Sequence, residues 1–171
     1  MTPIGRYRML AGYNTWANGR LFDAAAGMAE ADYRADRGAF FGSLNNTLNH
    51  LLAADRIWMR RLTGQGPTYD RLDLILHEDL ATLREQRDAE DARLVAYLAG
   101  LDPAVLEHRF EYRTMAGEAF VQPLSTVLDH LFNHQTHHRG QAHTLISASG
   151  VAPPSLDLIQ YEREAGVSAP L

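Results

Sequence analysis

The 171-residue chain contains no cysteine and no lysine. Without cysteine there is no disulfide, no thiolate zinc site and no cysteine nucleophile. Small extracellular scaffolds usually depend on disulfides, so their absence tilts the expected location toward the cytoplasm. All basic residues are arginine. Together with the abundant alanine, this reads as a compositional bias of the source genome and is given no functional weight. An excess of positive charge is also missing: the net charge is −5. Nucleic-acid binding leans on clustered cations, so no nucleic-acid partner is expected. No apolar run approaches the ~20 residues that span a bilayer, so no membrane partner is expected either. Arg6 and Arg8 are followed by no continuous apolar stretch, and no signal peptide is evident.

What is present is an ordinary globular composition, 46% apolar and 22% charged. That is enough to bury one core, so residues 1–171 are read as a single domain. Apolar residues recur at helical spacing in four long segments. The first covers 4–29 and the second runs from an N-cap at Ser43 to about Leu62, before the breaker Gly64-Gln65-Gly66-Pro67. The third covers roughly 71–99, on Leu72, Leu76, Leu80, Leu83, Leu94 and Leu98. The fourth has Pro123 in its first turn and ends near Gly150. Residues 107–122 alternate apolar and polar and read as a short β-hairpin or extended loop. Residues 155–165 read as a last short helix. The fold class expected is an all-α four-helix bundle.

Five of the eight histidines lie in the fourth segment: His130, His134, His137, His138 and His143. On a wheel of ~100° per residue, His138 falls inside the apolar stripe and His134 at its edge. Separated by four residues, they stack one turn apart, with Cβ atoms ~5–6 Å from each other, close enough to share one ion. The zinc-binding H-E-x-x-H helix uses the same spacing, but Gln135 here replaces the glutamate that serves as its base. A metalloprotease is therefore rejected. A third ligand would come from a facing helix. His50, at the border of the second stripe, is the best candidate, although the wheel alone also fits a partly exposed histidine. His77 and His108 are weaker candidates. Asp55 lies within an apolar stripe, where an unpaired carboxylate is expensive. Its companion is either an arginine or a tyrosine hydroxyl, or a ligating imidazole that it orients. Trp16 and Trp58 read as core or pocket-wall residues.

Three stretches together resemble the DinB-like family of damage-inducible bacterial proteins, which is unrelated to the DNA polymerase sharing that name. They are Tyr13-Asn14-Thr15-Trp16-Ala17-Asn18, then Thr47-Leu48-Asn49-His50 with Asp55 and Trp58, then His134-Gln135-Thr136-His137-His138-Arg139-Gly140-Gln141. The ending Gly150, Pro153-Pro154, Asp157 also fits. The resemblance implies an up-down-down-up bundle with a three-histidine metal site on His50, His134 and His138. It also implies pairing into homodimers. Relatives in that family include thiol-dependent S-transferases and a thiol-dependent maleylpyruvate isomerase.

Three neutral imidazoles would leave an ion with open positions. Zinc, nickel and iron(II) all accept nitrogen ligands, and ligand type alone does not choose among them. The first functional expectation is a thiol S-transferase: a low-molecular-weight thiol attacks an electrophilic small-molecule substrate, in stress response or detoxification. His130, His137 and Arg139 are candidates for the site mouth and Asp55 for a supporting contact. The second is metal-dependent hydrolysis, with Asp55 or Glu78 as a distant base. The third is a non-enzymatic binding or sensing module, its fourth position closed by His130.

Overall fold

The computed structural model describes residues 1–168. Its elements, in chain order, are α1 (Pro3–Ala26), α2 (Glu30–Arg34), α3 (Leu44–Thr63), α4 (Leu80–Gly100), β1 (Arg109–Arg113), β2 (Ala119–Pro123), α5 (Leu124–Ala148) and α6 (Leu158–Glu164). A 3₁₀ turn at Pro103–Glu107 precedes β1.

Local chemistry sets the boundaries. The Ser43 hydroxyl accepts from Asn46 N at 3.2 Å and opens α3. Gly64, at φ 73, closes it in a conformation that only glycine takes without steric cost. Pro123 is the last residue of β2 and lies just before α5, not within its first turn. The hairpin expected at 107–122 forms, with Tyr112 opposite Phe120.

Two expectations need correcting. The first helix stops at Ala26, and α2 is a separate short piece. The third helix begins at Leu80 rather than at 71. Leu72, Leu76 and Leu80 do recur at i+4 spacing, but Asn49 intercepts the backbone between them. Its Oδ1 accepts from Leu76 N at 2.8 Å and from His77 N at 2.9 Å, and its Nδ2 donates to the His77 carbonyl at 3.0 Å. Those groups are satisfied without a helix. Asp79 then caps α4 by accepting from Thr82 N at 2.8 Å.

Contacts between helix ends give the topology. Arg8 in α1 donates to the Leu98 carbonyl near the end of α4 at 2.9 Å, so these two run antiparallel. Tyr7 donates to Asp129 near the start of α5 at 3.0 Å, so α1 and α5 run parallel. Asn49 at the start of α3 meets His77 just before α4, whereas Arg93 late in α4 reaches Thr63 at the end of α3. The bundle is therefore up-down-down-up.

Its core has two apolar halves. One gathers Met59, Leu94, Leu98, Val127, Leu128 and Leu131; the other gathers Leu21, Leu48, Leu52, Leu83, Ala142 and Ile146. A buried polar layer crosses the bundle. All four long helices contribute to it: Asn14 and Asn18, Asp55, Arg87 and Asp91, and Gln135 and Arg139. Arg87 Nη2 lies 2.9 Å from Asp55 Oδ2 and 2.9 Å from Asp91 Oδ1. Both contacts are charge pairs rather than aligned hydrogen bonds. Asn14 and Asn18 donate to Asp91, and Arg139 donates to Asn14 Oδ1. Such a layer is costly to desolvate but penalises any helix register that separates its charges.

Candidate metal centre

The starting point is the i, i+4 pair on α5. His134 and His138 rise one turn apart and their rings meet edge to face at 4.3 Å. α3 runs antiparallel alongside and delivers His50 between them. His50 Nε2 lies 3.2 Å from His134 Nε2 and 3.3 Å from His138 Nε2. The three rings form a group of ligand atoms all within 4.8 Å of one another. An ion about 2.1 Å from each nitrogen, at tetrahedral angles, would space those nitrogens about 3.4 Å apart. The two spacings from His50 Nε2 fit.

Proton positions follow from the outer nitrogens. His50 Nδ1 lies 2.9 Å from the Leu72 carbonyl oxygen, which can only accept, so Nδ1 carries the proton. His138 Nδ1 donates likewise to Gln141 Oε1 at 2.8 Å. Both Nε2 lone pairs then converge on one point. Burial lowers the His50 pKa to about 4 and, with help from neighbouring imidazoles, that of His134 to about 3. His138 is also lowered, chiefly by burial. A charged imidazolium within the cluster is therefore disfavoured at neutral pH, and the facing Nε2 lone pairs of His50 and His138, 3.3 Å apart, would repel. A cation at their focus turns that repulsion into ligation. The donor set fits a divalent first-row ion.

The imidazoles form one wall of an open groove of about 600 Å³. Phe41 stacks on His50 with centroids 4.0 Å apart, and Leu72, Asp73, His137 and Gln141 line the rest.

The other residues singled out from sequence are placed as follows. His137 is exposed in the groove, and its Nε2 lies 3.3 Å from Gln141 Nε2. His130 is exposed beside the site. Its ring is 5.8 Å from His134 and 5.1 Å from Trp58, and it does not join the ligand group. Arg139 is not at the mouth: it is buried in the polar layer. One residue from His138 is ~100° around the helix, which turns Arg139 toward α1. Asp55 pairs with Arg87 rather than with a ligating imidazole. Glu78 is exposed and paired with Arg34, outside the groove lining. His77 contributes backbone groups to Asn49.

Sequence reasoning missed Leu72, Asp73 and Phe41. The Leu72 carbonyl is a backbone group in a segment read as helix, so no residue-type signal marks it. Gln141 closes the His134–Gln141 motif, which by itself assigns it no role. Its i+3 position after a ligand was a signal that it could reach back to His138.

The DinB family model matches residues 5–169. Protein DinB from Bacillus subtilis is 23% identical over 158 residues, which cover 87% of this chain and 89% of that protein. The crystal structure of a DinB-like protein from Bacillus cereus superposes with a TM-score of 0.63 at 17% identity, covering 82% of this chain and 91% of that one.

Proposed function

Since this chain belongs to the DinB family, we propose that it is a metal-dependent enzyme that conjugates a small thiol to an electrophilic molecule, with His50, His134 and His138 holding one divalent ion. The observation that carries the reading is the convergence of three neutral imidazoles, two with their outer protons fixed by Leu72 and Gln141, on the wall of an open groove. A cation bound there supplies Lewis acidity, which lowers the pKa of a thiol or water that reaches it.

The protein's own groups favour a thiol. A free thiol has a pKa of about 8.5, against about 15.7 for water, so it needs far less help to ionise. The carboxylate in the groove lining is Asp73, and the Arg71 guanidinium holds its pKa below the usual range. It is a weak base, poorly suited to activating water. The His137 imidazole lines the groove and can receive the thiol proton as the sulfur–carbon bond forms, then return it to the anion left on the adduct or the expelled group. Phe41 and Leu72 give an apolar wall against which an electrophile can desolvate.

Two observations weigh against the other readings. The distant bases of the hydrolytic mechanism, Asp55 and Glu78, are occupied by Arg87 and Arg34. The fourth ligand of a closed binding module, His130, packs edge-on against Trp58 instead.

The test starts from protein purified without a polyhistidine tag, its metal read by elemental mass spectrometry. The ion should be near-stoichiometric and lost in His50→Ala, His134→Ala and His138→Ala but not in His143→Ala. The loaded protein is then assayed with a panel of thiols and electrophiles. Acceleration that disappears on chelation supports the reading. A loaded protein that accelerates no pair in the panel overturns the transferase.

A further inference from the structure

At the far end of α3 from the imidazoles lies a second cavity, of about 580 Å³, between the end of that helix and the hairpin tip. Three arginines line it: Arg60 and Arg61 from α3 and Arg113 from β1. Thr68, Tyr69 and Thr114 add hydroxyl groups, and among the described residues no acidic one lines it. In a chain with a net charge of −5 this is a local concentration of positive charge.

Elsewhere arginines are mostly neutralised. Arg20, Arg34, Arg56, Arg71, Arg84, Arg87 and Arg93 each meet a carboxylate within 4.0 Å. Among the described residues none lies that close to Arg60, Arg61 or Arg113. Arg60 Nη1 donates to the Gly66 carbonyl at 2.6 Å and Arg113 Nη1 to the Gly117 carbonyl at 2.8 Å. Each guanidinium has five N–H donors, so most remain to be used.

Arg61 is held by aromatic faces. Its guanidinium carbon sits 4.4 Å from the centre of the Trp58 ring and 5.2 Å from that of Tyr112. The contact fixes the side chain before any ligand arrives, which reduces the entropy cost of binding. It also removes water from a cation that has no counter-charge, an arrangement that an incoming anion would relieve.

We propose that this cavity is an anion-binding site that takes the carboxylate or phosphate group of a small organic molecule. The planar fork of Arg61 suits either group bidentately, with Arg60 and Arg113 closing on the remaining oxygens. The loop from Gly64 to Asp79 runs back along α3. It contributes Thr68 and Tyr69 to this cavity, and Leu72 and Asp73 to the groove beside the imidazoles. The inference stands apart from the thiol reading, because it needs neither the ion nor catalysis.

Trp58 is a built-in reporter. In the full-length Trp16→Phe protein it is the sole tryptophan. Its emission is followed on titration with inorganic phosphate, with succinate and with uncharged succinamide, at constant ionic strength. Isothermal calorimetry is run alongside. The expected result is saturable binding of phosphate, of succinate or of both, with none for succinamide; the anion that saturates identifies the ligand class. Arg61→Gln and Arg113→Gln should each weaken binding at least tenfold, and Arg163→Gln should leave it unchanged. Circular dichroism confirms that each variant is folded. The proposal is overturned if neither anion saturates by about 10 mM, ten times a millimolar dissociation constant. It is equally overturned if succinamide binds as well as succinate, or if both arginine variants bind as the parent does.

Discussion

Gln141 stands three residues beyond His138 on α5, and its Oε1 accepts the Nδ1 proton of that ring at 2.8 Å. The same amide places its Nε2 3.3 Å from His137 Nε2. One side chain thus orients an imidazole of the candidate metal site and contacts a neighbour in the groove. Gln141→Ala should lower metal affinity by about 10- to 100-fold, the usual effect of removing a group that orients a ligand. The thermal midpoint of the metal-free protein should barely move, because Gln141 is only partly buried. Competition with a chromophoric chelator measures the affinity, and unchanged affinity would remove Gln141 from the site.

Asn49 pins the loop that carries the Leu72 carbonyl onto His50. Asn49→Ala leaves the Leu76 and His77 amides without their acceptor, at a cost of about 1–3 kcal/mol for each buried group stranded. Hydrogen exchange at those two amides should accelerate, and metal affinity should fall with it. Exchange mass spectrometry over 70–80 is the check; protection equal to the parent would contradict the assignment.

Burial raises the Asp55 carboxyl to about 6 despite the facing Arg87. The folded state therefore holds that proton more tightly than the unfolded chain, whose value is near 3.8. The resulting stability is fully present below the unfolded value and is lost as pH rises through the folded one. Relative to Asp55→Asn, which cannot ionise, the parent should lose stability as the pH rises from about 4 through the folded-state value. Urea melts of both proteins across that range give the difference directly. A flat difference, or one of opposite slope, would contradict it.

If His50, His134 and His138 hold an ion as proposed, removing it should destabilise the fold. An ion at a hundred times its dissociation constant adds about 2.7 kcal/mol, if it binds only the folded state. For a chain of this size that corresponds to roughly 5–10 °C in the midpoint. Chelator should lower the midpoint of the parent by that amount and leave His134→Ala unmoved. Scanning calorimetry with and without chelator reads it, and an equal drop in both proteins would point to an effect of chelator elsewhere.

His50 and Phe41 show why parts of the site were readable in sequence and others were not. The His134–His138 spacing is a local property of one helix, so a wheel finds it. His50 lies eighty-four residues from His134; its position at a stripe border was ambiguous, and the family resemblance supplied its assignment. Phe41 sits in a loop before α3, where no periodicity operates. Arg139 was misplaced because adjacency in sequence was taken for adjacency in space.

The local chemistry of the chain by itself determined the helical segments, their caps at Ser43 and Gly64, the hairpin, and the histidine pair. Each depends on interactions between residues close together along the chain. Only the tertiary structure decided that α4 starts at Leu80, because the side chain of Asn49 satisfies a distant backbone that would otherwise have continued the helix. It also decided that Asp55 and Arg139 belong to the buried polar layer, and that Arg60, Arg61 and Arg113 share one cavity. Those outcomes depend on which helices face one another, and that is fixed by packing and by the long-range pairing of buried charges.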